Sequence, residues 1–251
     1  MRALAAVLAL AAAAGGCLLC EPGAARALGA LAGPYLERAL PRQPELRARV
    51  AALLRRGLRG LATLPRHPDT FMGVIDENTL LEASTHFRRT VGRVMEQNYQ
   101  DERVFNELYW ALQEVKDHFE QLMRRFQSEV FCPNSCGRME QVWIDCWSCN
   151  ASLYSCTRGL LCGERRLSVA EDEELILDCS LGWHRAAHGT KTYVFYRAAP
   201  PGEQRLVAGP DPFLVRKQVT GNDSGRYRCE MRNPRGELCS ELRFAVTATP
   251  T

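Results

Sequence analysis

A chain of 251 residues is long enough for two modest domains, and 46% hydrophobic with 24% charged residues is the balance of a globular protein, which excludes a disordered or fibrous chain. The formal net charge of +3 is too small for the whole surface to attract nucleic acid or membrane, so recognition must be sought locally. Eleven cysteines, an odd number, shape the rest of the reading.

The first residues, MRALAAVLALAAAAGGC, place Arg2 before an apolar run and small residues at Ala14 and Gly16, three and one positions before Cys17. That pattern predicts a secretory signal peptide over residues 1–16, cleaved before Cys17. A bacterial lipoprotein box also ends in cysteine but usually has Leu where this chain has Ala14. No later segment carries the roughly 18 to 20 apolar residues of a membrane helix. The expectation is a chain that is secreted, held through a partner, or cut before its anchor. Two sequons, starting at Asn150 and Asn222, are candidate glycosylation sites on that route.

From Pro22 to Val130 the sequence reads as helix. Ala24 to Leu40 predicts a weak helix interrupted at Gly33-Pro34. Leu46, Val50, Leu53, Leu54, Leu58 and Leu61 mark a second helix, and Leu80, Ser84, Phe87, Val91 and Val94 a third. Val104, Leu108, Leu112, Val115, Phe119, Leu122 and Phe126 draw one apolar stripe along a fourth helix of about six turns. Burying that stripe contributes roughly 10 to 20 kcal/mol before entropy, which requires partner helices. Breakers at Pro41, Pro44, Pro65, Pro68 and Gly73 separate the segments, and short connections predict an antiparallel four-helix bundle over 17–131. The second helix sets Arg42, Arg47, Arg49, Arg55, Arg56 and Arg59 against Glu45 alone. It reads either as a solvated arginine face or as a surface for acidic sugars or phospholipid headgroups.

A cysteine-rich hinge follows over 132–166, with six cysteines between Cys132 and Cys162, where Gln141 to Ile144 and Ala151 to Tyr154 predict a short hairpin. Over 167–251 short apolar runs such as Leu175 to Leu177, Tyr193 to Tyr196 and Phe244 to Val246 alternate with turns, as in an antiparallel β-sandwich. Asp223 to Cys229, DSGRYRC, carries a tyrosine two residues before a cysteine, the tyrosine corner of immunoglobulin domains, and Cys179 lies 50 residues earlier as its disulfide partner. The usual core tryptophan of strand C is missing, and Tyr193 or Phe195 takes its place. The fold class is therefore α+β and multidomain.

Two CxxC pairs, Cys17/Cys20 and Cys146/Cys149, admit three readings: a four-cysteine zinc site, a secreted thiol-disulfide oxidoreductase, or structural disulfides paired between modules. Zinc ribbons space their pairs more closely, no βαβ pattern surrounds either pair, and an oxidising compartment favours disulfides. Cys239, left after the immunoglobulin pair, is the natural free thiol. His67, His86, His118, His184 and His188 are scattered without a catalytic spacing, so no enzyme, cofactor or metal is expected.

An N-terminal CxxC followed by MGVIDENTL (72–80), NELYW (106–110), CPNSCG (132–137), CGER (162–165), LDC (177–179) and FYR, with hinge cysteine steps of 4, 10, 3, 7 and 6, resembles the Izumo family of sperm-egg fusion proteins from Cys17 to Thr247. The resemblance implies a four-helix bundle, a disulfide-tied hairpin hinge and one immunoglobulin domain, followed by a membrane helix and short tail that this chain lacks. It implies the bonds Cys17–Cys146, Cys20–Cys149, Cys132–Cys156, Cys136–Cys162 and Cys179–Cys229, with Cys239 unpaired. It further implies a sperm-surface and acrosomal-membrane adhesion protein required for gamete adhesion and fusion. In mammals its egg partner is Juno, a folate-receptor-like protein, bound through the hinge. The mammalian pattern has Trp where this chain has Asp145, and His and Arg where it has Tyr154 and Thr157. Trp147, on the same strand face as Asp145 by alternation, and Trp143 are the replacement anchors, with Arg158 beside them, and the partner is Juno or a functional equivalent.

Overall fold

Four helical runs open the chain in the computed structural model, which describes residues 16–61, 73–97 and 99–250. The expected signal peptide lies outside the described residues except for Gly16. The chain divides into two compact units, Met1–Phe131 with Val142–Ser152 and Cys132–Gln141 with Leu153–Thr251, so the cysteine-rich segment 132–166 is shared between them.

In the first unit, helix α1 (Pro22–Ala30) starts where the Glu21 carboxylate accepts the Ala24 N–H at 2.7 Å, with Pro22 in the first turn, where its missing N–H costs nothing. Gly33-Pro34 does not interrupt the run. The chain widens into one π turn, Leu31–Tyr35, and continues as α2 (Leu36–Ala39). A wider turn absorbs both the N–H that proline lacks and the clash of its ring with the preceding turn.

Helix α3 (Pro44–Gly60) buries Val50, Leu54 and Leu58 and leaves Leu53 outside. Helix α4 (Glu77–Glu96) is capped by Asp76, whose carboxylate accepts the N–H groups of Asn78 and Thr79, and buries all of Leu80, Ser84, Phe87, Val91 and Val94. Helix α5 (Glu102–Arg125) buries its expected stripe with one exchange: Ala111 is inside and Leu112 is half-buried. Two successive steps of four residues rotate about 80° from Val104 and carry Leu112 to the edge of the stripe.

The core of this unit also takes in a strand that the helical reading missed. β1 (Val74–Ile75) pairs antiparallel with the end of β2 (Arg138–Asp145), opposite Asp145 and Ile144, and β3 (Ala151–Thr157) completes a three-stranded sheet. Two residues are too few to show a period, and the hairpin strands extend beyond the expected 141–144 and 151–154. Trp143, expected as a possible receptor anchor, is 1% exposed; its ring meets Phe126 edge-on at 5.1 Å and Phe131 at 5.3 Å. It faces the core because β2 alternates and that face covers the end of α5.

The second unit is an immunoglobulin-like sandwich. One sheet has the order β4 (Leu161–Ala170), β10 (Leu238–Thr249), β9 (Gly225–Arg232), β6 (Thr192–Ala199), β7 (Gly202–Gly209), with β4 parallel to β10; the other pairs β5 (Leu175–Asp178) with β8 (Phe213–Arg216). The Cys179–Cys229 disulfide lies in the core, and Phe195 stands opposite Cys229 across β6 and β9, filling the place of the missing tryptophan with Tyr193 two residues along. The Tyr227 hydroxyl donates to the Asp223 carbonyl at 2.7 Å, closing the tyrosine corner. Cys239 is a buried free thiol in β10. Gly137, at φ 80°, is required: a Cβ there would lie 2.6 Å from both the Cys239 carbonyl oxygen and the Trp183 ring.

The buried polar group of this core is His184, 3% exposed. Nδ1 accepts the Leu181 N–H at 3.3 Å, so it is the unprotonated nitrogen; it also accepts from the Tyr193 hydroxyl at 3.1 Å, while Nε2–H donates to Ser240 at 3.0 Å. Burial, aided by nearby Lys191, pushes its pKa down to about 4.

Two stability measurements test this packing. Phe119→Ala costs about 3–5 kcal/mol in denaturant unfolding of the helical unit, while Trp110→Ala, at a residue 67% exposed on the same helix, costs less than about 1 kcal/mol. The unfolded chain protonates His184 near pH 6.5 and the folded chain only near 4. Stability is therefore full above pH 6.5 and falls by up to about 3 kcal/mol as pH drops to 4. His184→Gln, compared with wild type across that range, flattens this component.

Candidate functional site

The turn between β2 and β3 is held by two disulfides. It begins from the other end of the chain, where Cys17–Cys20 form a single 3-10 turn with Cys17 and Leu18 buried. Cys17 is bonded to Cys146 and Cys20 to Cys149, each link spanning 129 residues. Backbone hydrogen bonds reinforce the bridges: Gly16 N–H donates to Cys146 O at 2.9 Å, Cys146 N–H to Gly73 O at 2.9 Å, and Asp145 N–H to Asn150 O at 3.0 Å.

Asp145 organises the turn from within. Its Oδ1 accepts the Ser148 N–H at 2.6 Å, the Ser148 hydroxyl at 2.8 Å and the Trp147 N–H at 3.1 Å. These donors, the Ser148 backbone foremost, hold the carboxyl below the usual aspartate range. Cys149 then takes φ 57°, reversing the chain toward β3.

Trp147 sits on this frame 57% exposed, with its indole Nε1 lying 3.9 Å from where a Gly73 Cβ would be. The alternation that paired it with Asp145 on one strand face does not hold: β2 ends at Asp145, Trp147 belongs to the turn, and the Asp145 carboxylate is folded under it. The turn geometry and not the pleat aims the indole outward. Asn150, the first residue after the turn, is exposed, as is Asn222 in the second unit. Tyr154 and Thr157 are exposed on β3, and Arg158, also exposed, follows it with its N–H donating to Gly137 O at 2.8 Å. These three belong to the second unit, whereas Asp145 and Trp147 belong to the first.

The remaining bridges are Cys132–Cys156 and Cys136–Cys162. No CxxC closes on itself, whereas an oxidoreductase cycles a bond within the motif; Cys146 and Cys149 are each bonded to a cysteine of the other pair. Among the described residues no group of three or more His, Cys, Asp or Glu side chains is placed to hold a metal, and no helix is long and apolar enough to cross a membrane. What the turn offers is a rigid, half-exposed aromatic beside polar groups, the chemistry of protein recognition.

Comparison with known proteins agrees in extent. A family model described as the N-terminal domain of Izumo sperm-egg fusion matches residues 16–162, and one described as the Izumo-like immunoglobulin domain matches 165–251. Izumo sperm-egg fusion protein 1 of Mus musculus is 34% identical over 235 residues, 93% of this chain and 59% of the relative. The Danio rerio protein of the same name is 30% identical over 194 residues, 71% of this chain and 56% of the relative. The chain thus spans less than two thirds of the length of these relatives. A crystal structure of the N-terminal four Ig domains of Dscam1 aligns with 34% of this chain and 22% of its own at 19% identity, with a TM-score of 0.29, too low to bear on the fold.

Asp145→Ala tests the turn directly. It removes one acceptor from three donors, so hydrogen exchange at the Trp147 and Ser148 amides quickens about three- to ten-fold. Peptide mapping of the same variant still recovers Cys17 linked to Cys146 and Cys20 to Cys149.

Proposed function

Because the chain belongs to the Izumo sperm-egg fusion family, we propose that it is the extracellular part of a sperm-surface adhesion protein that recognises an egg-surface receptor through its hinge, and that gamete adhesion and fusion depend on that contact. The receptor is Juno or a functional equivalent. The longer protein carries a membrane anchor beyond this chain and resides on the acrosomal membrane before reaching the cell surface. It acts by binding, without catalysis and without a cofactor.

The observation that carries this reading is Trp147. A large side chain 57% exposed on a turn held by two disulfides and by Asp145 loses little conformational freedom on binding, and such aromatics dominate protein interfaces. The anchor of the mammalian pattern stands one position before the first hinge CxxC cysteine; here that position holds Asp145 as the turn's acceptor, and the aromatic stands one position after the cysteine. Tyr154 and Thr157 on β3 and Arg158 just after it are proposed as supporting contacts, and glycans are proposed at Asn150 and Asn222. A glycan at Asn150, three residues from Trp147, restricts the directions from which a partner approaches.

Surface plasmon resonance against Juno of the same species is the test. The wild-type chain binds, and Trp147→Ala weakens binding about 30-fold or more, the loss of one anchoring residue worth at least about 2 kcal/mol. Equal binding by Trp147→Ala removes the tryptophan as anchor. No binding to Juno, alongside retained binding to eggs of that species, replaces Juno with another egg receptor.

A further inference from the structure

Helix α3 presents an arginine face that neither the core nor the proposed receptor contact uses. Arg49, Arg55, Arg56 and Arg59 are exposed, as is Arg42 just before the helix, and Arg47 is half-buried. At 100° per residue, Arg49 and Arg56 fall on one line along the helix, with Arg59 beside it, directly opposite the buried Val50, Leu54 and Leu58. Arg49 to Arg59 covers about 15 Å of helix axis. Ala48, Ala52 and Gly60, small and exposed, lie between and beside them.

Among the described residues, no carboxylate forms an ion pair with this row. Among the described residues, the ion pairs of the helical unit are His86–Glu114, Arg93–Glu114, Arg124–Glu120 and Arg125–Glu82, and none includes an arginine of α3. Glu45 is the helix's sole carboxylate. Some arginines of the second unit are matched by contrast: Arg228 pairs with Glu203 and Glu230, and Arg235 with Glu140 and Glu237. A row of like charges left unmatched repels itself, and a polyanion relieves that repulsion.

We propose that the arginine face of α3 binds a linear sulfated polysaccharide. Guanidinium forks donate paired N–H bonds to sulfate and carboxylate oxygens, and a charged chain running along the helix meets several of them in succession. A lipid surface fits less well. A helix lying in a bilayer interface inserts an apolar face, and that of α3 is spent in the core, leaving Leu53 as the large apolar side chain outside. Single-stranded nucleic acid binds through aromatic stacking platforms, and α3 carries no aromatic residue.

The test uses the whole chain on immobilised heparin, with N- and O-desulfated heparin and phosphatidylserine vesicles as competitors. Wild type is retained in physiological salt and competed by heparin but by neither alternative. The triple variant Arg49→Glu, Arg56→Glu, Arg59→Glu loses about ten-fold or more in affinity. The matched reversal Arg216→Glu, Lys217→Glu, Arg226→Glu, three exposed cations of the second unit, loses less than about two-fold. Glutamate is as good a helix former as arginine, so the α3 variant keeps its far-UV circular dichroism melt and its Trp147-dependent receptor binding. Equal losses in the two triple variants, equal competition by desulfated heparin, or stronger competition by vesicles overturns the proposal.

Discussion

The two bridges from Cys17 and Cys20 to Cys146 and Cys149 are the constraint on which the first unit depends. Each closes a loop of 129 residues, which in the chain-entropy model removes about 4–5 kcal/mol from the unfolded state. Their local effect matters as much as that energy. They fasten a one-turn 3-10 segment to a four-residue turn, bury Cys17, Leu18 and Cys146, and leave the tip of the turn outside. A turn without such ties pays in entropy whenever it is ordered by a partner. Here that ordering is complete before any partner arrives.

Polar chemistry in this protein is mostly structural. The Asp145 carboxylate, standing where the mammalian pattern has Trp, accepts from Ser148 and Trp147. His184, Tyr193 and Ser240 form a hydrogen-bonded chain that contains a serine and a histidine, yet both are buried and each satisfies the other. Cys239 is likewise enclosed, and burial raises its thiol pKa above the ordinary value, so it is poorly suited to attack another molecule. By contrast, the Trp147 indole and the arginines of α3 lie outside.

Much of the fold could be read in the residues because its signals are local. Helix α4 keeps every predicted core position, since a 3.6-residue period needs only near neighbours to show itself, and Tyr227 with Cys229 marks the sandwich from within seven residues. The failures are equally specific. The break predicted at Gly33-Pro34 became a π turn because neighbouring apolar residues on both sides, Leu31, Tyr35 and Leu36, are held in the core and keep the run together. β1 escaped notice because a two-residue strand exists through its partner on β2, 70 residues away, and not through any pattern of its own. Trp143 and Trp147 illustrate the limit best. Four residues apart and chemically identical, one lies in the core against Phe126 and Phe131 and the other stands on a turn.

By itself, the sequence determined the helical region, the sandwich with its tyrosine corner, and the kinship carried by its cysteine spacings, because each is written in short-range periodicity or fixed intervals. Tertiary structure alone decided which hinge tryptophan is offered to solvent, what Asp145 holds, and that among the described residues no carboxylate pairs with the α3 arginines. Exposure and pairing depend on what the rest of the chain brings alongside a residue, and no interval along the sequence records that.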